Sequence, residues 1–209
     1  MVTRPTKIVC VGRNYAAHAK ELGNAVPERP LIFLKPASSV IADGETILLP
    51  PESQQVEHEA EIGLVIGRRL GRGADEAAAR AAIAGLACVN DVTCRDLQKL
   101  DVQFTRAKGF DTFCPIGAMK AVDPGFDYGS LTVIGRVNGL ERQRGLSRDM
   151  IFGIPMLVAY ISNIMTLEPG DVISTGTPEG VGPLKPGDVV EVEIPGIGVL
   201  RNPVASRSV

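Results

Sequence analysis

The stretch "VEHEAEIGLVIGR", residues 56–68, carries three glutamates at alternate positions. In a β-strand Glu57, Glu59 and Glu61 share one side, and His58, Ala60, Ile62 and Leu64 share the other. Like charges at neighbouring same-face positions repel, so this edge is either solvated or neutralised. Asp91 follows the apolar run 86–89 and is a candidate companion. Two alternate carboxylates on one strand and a third at the end of another supply oxygen ligands to a hard divalent cation, leaving other positions to water or substrate. An all-oxygen set favours Mg2+ or Mn2+, since zinc more usually recruits His or Cys. The competing reading is the solvated face of an edge strand, a common use of charged residues.

His18 and Glu21 are three apart in "RNYAAHAKELG", a segment whose composition favours a helix, so their side chains can meet on one face. A carboxylate bonded to one imidazole nitrogen fixes the tautomer and leaves the other free to take a proton from water. The alternative is an ordinary exposed pair. His58 points away from the acids by alternation and reads as a structural residue hydrogen-bonded in the core. Arg95 and Gln98, also three apart, follow Asp91 closely; their planar groups suit a carboxylate or polarised carbonyl, and Lys108 can add positive charge. Each is equally compatible with a solvated surface. The Gly/Thr-rich "STGTPEGVG", residues 174–182, lacks the GxxxxGK[ST] pattern of a nucleotide phosphate loop. Its backbone N–H groups and the Thr177 hydroxyl can grip a carboxylate, or the stretch is a plain surface turn.

The elements that must position these groups are short. "KIVCVG" reads as a strand, followed by a helix that Gly23 ends; "LIFLKP" and "TILLP" are strand candidates in a proline-rich stretch. "GADEAAARAAIAGL" reads as a helix capped by Asp75, with a strand, "LACVND", after it. Asn138-Gly139 between two strand-like runs signals a two-residue hairpin turn. "IPMLVAYISNIM" is apolar nearly all round and reads as a buried helix with proline in its first turn. Pro-Gly-Asp turns then launch two strands, the second alternating Val190, Val192 and Ile194 with Glu191 and Glu193.

With 209 residues, 44% of them hydrophobic, the chain can bury a core, and residues 1–209 are expected to form a single domain. A net charge of −2 gives no basic excess for a phosphate backbone, so nucleic acid is not an expected partner. No apolar run approaches the roughly 20 residues that span a bilayer. Four cysteines without a CxxC pair or a secretory apolar segment fit a reduced, cytoplasmic protein.

Seven segments in order, "GRNYAAHAKEL", "FLKP", "EHEAEIGLVIG", "NDVTCRDLQ", "AKGFDTFCP", "RQRGLSRDMIFGIP" and "TLEPGDVISTGTPEGVGPLKPGD", resemble the fumarylacetoacetate hydrolase family. The resemblance is to its short branch, which includes acylpyruvate hydrolases and oxaloacetate decarboxylases, and runs from about residue 12 to 188. It implies a β-rich α+β fold, a mixed β-sandwich roll with short helices, assembled as a homodimer. It implies Mg2+ or Mn2+ held by Glu59, Glu61 and Asp91, with Glu57 outside the motif as a solvent-facing or supporting residue. It makes His18 and Glu21 a water-activating dyad on a lid segment, and Lys108, Arg95, Gln98 and Thr177 the groups that polarise or anchor substrate. The N-terminal extension of longer relatives is not expected in this chain, so the substrate contacts it makes there are not carried over.

The activity expected on that basis is metal-dependent hydrolysis of a carbon-carbon bond in a small 3-acylpyruvate or 2,4-dioxo acid, such as fumarylpyruvate or acetylpyruvate. The 2-oxo acid end chelates the cation, His18 and Glu21 direct water at the distal carbonyl, and a pyruvate enolate is expelled. Decarboxylation of oxaloacetate, or isomerisation or decarboxylation of a hydroxydienoate in aromatic catabolism, uses the same electron sink. A non-catalytic dicarboxylate-binding protein whose cation braces the fold is the reading from another class.

Overall fold

A computed structural model of the chain describes residues 5–23 and 25–207; the other residues of the 1–209 span lie outside the description. A six-stranded mixed sheet runs in the order Lys120–Ala121, Ile83–Asn90, Ala60–Ile66, Val172–Ser174, Ile8–Gly12, Leu31–Lys35. A five-stranded sheet runs Leu140–Leu146, Thr132–Val137, Val189–Ile194, Gly198–Ser206, Ile47–Leu49. Two small sheets complete the β-structure, one of them joining Val56–His58 to Gly182–Pro183 and Thr93–Cys94. This is the β-rich mixed architecture with few short helices that the resemblance implies.

The two large sheets share one core. Ile62, Leu64, Leu86 and Cys88 from the first meet Val133, Val192, Ile194 and Leu200 from the second, and the helix Ile154–Ile164 adds Leu157, Val158 and Ile161. The strand Ile8–Gly12 shows why its sequence is apolar without a break: Val9 and Val11 face that core while Ile8 and Cys10 enter a separate buried cluster on the other side. A central strand buried on both faces has no position for a polar residue. It runs parallel to Val172–Ser174 and antiparallel to Leu31–Lys35, which brings distant parts of the chain together where the site lies.

Local rules account for most elements. Asp75 caps the helix Glu76–Ala82 by accepting from the Ala78 N–H at 2.8 Å. Asn138 and Gly139 both take positive φ, 53° and 76°, the mirror-type hairpin turn.

Three expectations are corrected. The helix beginning at Glu76 stops at Ala82, because the β-branched Ile83 already belongs to the long strand that pairs with Ala60–Ile66; the "IAGL" that reads as helix is strand. The helix Ile154–Ile164 buries one stripe only, leaving Met156 and Tyr160 partly covered and Ile164 exposed. The 56–68 stretch is not one strand: Val56–His58 and Ala60–Ile66 pair in different sheets, with Glu59 at the break.

Candidate active site

The break at Glu59 is built, not accidental. The Glu59 N–H donates to Asn90 Oδ1 at 2.9 Å, and the Asp91 N–H donates to the Glu59 carbonyl at 2.9 Å. The Ala60 N–H donates to Gln143 Oε1 at 2.9 Å. The chain therefore turns at residue 59 without orphaned backbone groups, and Glu59, Glu61 and Asp91 converge so that one oxygen from each lies within 4.8 Å of the others. All three are buried, at 4%, 1% and 1% exposure.

Three buried cations answer the crowding of the acids. Lys108 Nζ donates to Glu59 Oε2 at 2.9 Å, Asp91 Oδ2 at 2.6 Å and Thr93 Oγ1 at 2.8 Å. Arg95 donates through Nε to Glu57 Oε2 at 2.7 Å, through Nη2 to Glu59 Oε1 at 2.6 Å and through Nη1 to Gln98 Oε1 at 2.5 Å. Lys35 Nζ donates to Asp91 Oδ1 at 2.5 Å and to the Val92 carbonyl at 3.1 Å. Glu57, expected to face solvent or play a supporting part, is buried and takes the second role; Gln55 holds its other oxygen at 2.6 Å. Four carboxylates, Glu57, Glu59, Glu61 and Asp91, thus face three cations and leave one formal negative charge in excess.

That excess falls on Glu61. Its Oε2 accepts from Ser174 Oγ at 2.5 Å and the Gly176 N–H at 2.8 Å, while Oε1 has no partner among the described residues. Burial, then the charges of Asp91 and Glu59, push the Glu61 carboxyl up to about 8. Burial also works against charge on Glu59, but Lys108 and Arg95 overcome it and hold that carboxyl well below the usual range. The same pairing works on Lys108: burial favours the neutral amine, and Asp91 and Glu59 outweigh it, so the group stays a cation. The donor set is all oxygen, carries surplus negative charge and keeps an unpartnered oxygen, which fits a hard divalent cation.

The loop 174–182 grips carboxylates of the protein itself. Besides the two bonds to Glu61, its Gly180 N–H donates to Glu21 Oε1 at 3.0 Å. Glycine is required at both points: Gly176 and Gly180 have φ of 99° and 92°, and a Cβ on Gly180 would sit 2.0 Å from the Arg142 carbonyl oxygen. The other oxygen of Glu21 pairs with His18 Nδ1 at 3.2 Å. A carboxylate only accepts, so Nδ1 carries the proton and Nε2, without a partner among the described residues, presents a lone pair. His18 is 4% exposed, which separates it from an ordinary surface histidine.

A cleft of about 210 Å³ brings together His18, Glu59, Glu61, Asp91, Arg95, Gln98, Lys108 and Thr177, with Glu21 behind His18. Two anchors are constrained. The Thr177 hydroxyl already donates to the Ala60 carbonyl at 3.0 Å and accepts from Gln143 Nε2 at 2.7 Å, so its backbone N–H is the free donor. All three Lys108 protons are engaged, so it acts on a ligand through its charge rather than by a spare N–H.

Two residues at this site escape a reading of motifs. Lys35 is fully buried beneath the triad; its signal is a lysine closing the apolar strand "LIFLK". Gln143, 1% exposed, links His58 Nδ1 at 3.0 Å, Ala60, Thr177 and the Pro178 carbonyl at 2.8 Å, and nothing in the polar run "ERQRG" marks it. His58 is structural, as its alternation indicates, and burial lowers its proton affinity despite the Gln143 bond.

The sequence model of the fumarylacetoacetate (FAA) hydrolase C-terminal domain matches residues 7–205. The chain belongs to the fumarylacetoacetate hydrolase family, a family of enzymes. It is 48% identical, over 99% of its length and 94% of the relative's, to oxaloacetate tautomerase FAHD1, mitochondrial, of Arabidopsis thaliana. It is 46% identical to oxaloacetate decarboxylase, mitochondrial, of Dictyostelium discoideum, covering 91% of this chain and 89% of that one. Among solved structures, 5-carboxymethyl-2-hydroxymuconate delta-isomerase from Mycobacterium smegmatis superposes with a TM-score of 0.89 at 44% identity, over 99% of this chain and 81% of that one. Among the described residues no helix is long and apolar enough to cross a membrane.

Proposed function

We propose that the chain is a divalent-metal-dependent enzyme that turns over a small 2-oxo acid through its enolate, using Mg2+ or Mn2+ at Glu59, Glu61 and Asp91. The observation that carries this reading is the oriented His18–Glu21 dyad in the same small cleft as three buried carboxylates. When bound, the cation supplies the positive charge that polarises the 2-oxo group. The chain does the rest. Glu21, fixed by the Gly180 N–H, keeps the His18 proton on Nδ1 and leaves Nε2 as the base. The Gln98 amide N–H groups, whose carbonyl is already taken by Arg95, and the Thr177 backbone N–H orient the substrate carboxylate. The Lys108 charge stabilises the negative oxygen that develops at C2.

Tautomerisation or decarboxylation of oxaloacetate is the reading favoured by the relatives in Arabidopsis and Dictyostelium. In tautomerisation His18 Nε2 takes a proton from C3, the electron pair forms the C2–C3 double bond, and the oxygen at C2 gains a proton. In decarboxylation the C3–C4 bond breaks with loss of CO2, its electron pair enters the same enolate, and His18, having taken a proton from solvent at Nε2, delivers it to C3. Hydrolysis of a 3-acylpyruvate is a second reading, favoured by the dyad's ability to activate water. There His18 deprotonates water, hydroxide adds to C4, and the C3–C4 bond breaks to give a carboxylic acid and the pyruvate enolate. Isomerisation of a hydroxydienoate shares the proton transfer and is suggested by the mycobacterial isomerase.

Purified protein assayed with oxaloacetate, acetylpyruvate and a hydroxymuconate-type diene, each with and without Mn2+, separates these reactions. Metal-dependent turnover of at least one is expected; turnover of none, with oxalate still bound, supports the non-catalytic dicarboxylate-binding role instead. The homodimer and the cytoplasmic setting remain part of the proposed reading, and light scattering at assay concentration tests the first.

A further inference from the structure

The cleft holds two cations that the charge network leaves over, and one of them is partly buried. Arg13, Arg95, Lys99 and Lys108 line it. Arg95 and Lys108 are committed to buried acids, and Lys99 is exposed on its helix. Arg13 is half-buried and its guanidinium has no ion-pair or hydrogen-bond partner among the described residues. Its backbone is also unusual: φ is 58°, a left-handed conformation that disfavours any side chain with a Cβ.

Neighbouring Asn14 explains how that conformation is kept. It is fully buried; its Oδ1 accepts from the Phe152 N–H at 2.8 Å, and its Nδ2 donates to the Phe152 carbonyl at 3.1 Å and to the Thr175 carbonyl at 2.8 Å. A residue held in left-handed backbone by its neighbour, at the edge of a cleft and without a partner, is an observation from which a role can be argued. We infer that Arg13 is a specificity-determining residue that receives the distal carboxylate of a 2-oxo diacid whose 2-oxo acid end lies at Glu59, Glu61 and Asp91. The inference rests on the 2-oxo acid reading and narrows it to diacids, because a monoacid offers this guanidinium nothing to bind.

The test is calorimetry on Mn2+-loaded protein with two non-reacting ligands. Oxalate offers the chelating end alone, and N-oxalylglycine adds a distal carboxylate but has neither an enolisable C–H beside its oxo group nor a carboxylate beta to it that could leave as CO2. Arg13→Gly and Arg13→Met are expected to bind N-oxalylglycine at least about tenfold more weakly, the scale of one charge-assisted contact, and oxalate within about twofold of wild type. Arg13→Gly, free of the Cβ penalty, is also expected to melt at a higher temperature than wild type, which guards against misfolding as the cause. Lys99→Ala, removing an equal charge from the rim, is expected to change neither ligand more than about twofold. Equal weakening of both ligands by the Arg13 variants, no weakening, or an equal effect of Lys99→Ala overturns the inference. If wild-type protein binds neither ligand, the 2-oxo acid reading itself fails and takes this inference with it.

Discussion

The floor and the rim of the cleft are built on opposite terms. On the floor Glu57, Glu59 and Asp91 are paired with Lys35, Arg95 and Lys108, out of water and anchored in or beside sheet strands. At the rim His18, Gln98 and Arg13 sit on short helices and a turn, and each keeps a free atom facing the cleft. Charges with every partner in place hold a geometry; groups with a spare donor or lone pair are the ones available to a substrate. The contrast teaches that a buried ion-pair network can serve as scaffold for a site while contributing little net stability, because desolvation offsets much of the attraction.

Damage to the floor is therefore expected to appear as lost folding stability, and damage to the rim as lost turnover. Lys35→Met leaves Asp91 short of a buried counter-ion and is expected to cost about 3–5 kcal/mol in denaturant unfolding of the metal-free protein. A loss under about 1 kcal/mol would mean that the floor is not rigidly paired. His18→Ala is expected to reduce turnover by about 10²- to 10⁴-fold while Mn2+ affinity and melting temperature change little. Unchanged turnover removes the dyad from the mechanism; an equal loss of metal joins rim and floor into one unit.

A smaller effect comes from Glu61, the floor acid without a cation of its own. Its carboxyl ordinarily titrates near 4.5 and is raised to about 8, so between those values the metal-free protein holds a proton there that the unfolded chain does not. A raised carboxylate favours the folded state at low pH, and that contribution declines as pH rises through the interval. Cation binding must displace the proton, so Mn2+ affinity should climb by at most about tenfold per pH unit up to about pH 8 and then level. Calorimetry in two buffers of different ionisation enthalpy should detect close to one proton released at about pH 6.5 and almost none at about pH 9.5. Release that does not depend on pH would place the surplus charge elsewhere.

The floor's acids were legible as a group because strand alternation sets Glu57, Glu59 and Glu61 on one side, where they are either solvated or neutralised; the break at Glu59 and the buried cations decide for neutralisation. It also exposed the His18–Glu21 pair and the Asn138-Gly139 turn, features set by contacts within four residues. Lys35 was harder to see, since its partner Asp91 lies 56 residues away and only folding brings them within 2.5 Å. Gln143 is invisible for the same reason: its partners sit on a neighbouring sheet and in the loop after Ser174. The helix end at Ala82 has no local signal, because alanine-rich sequence favours helix while pairing of Ile83–Asn90 with Ala60–Ile66 decides the matter at long range. The strain at Arg13 has no signature in residue type, because the Asn14 clamp that imposes it reaches residues 152 and 175.

The central claim is that Glu59, Glu61 and Asp91 together hold one divalent ion. Calorimetric titration of the metal-free protein with Mn2+, beside Glu59→Gln and Glu61→Gln variants whose fold is verified by circular dichroism, tests it most directly. A single bound ion per chain is expected in the wild type, with at least about a hundredfold weaker binding in either variant. No binding by wild-type protein at millimolar Mn2+, or equal binding by all three proteins, would contradict it.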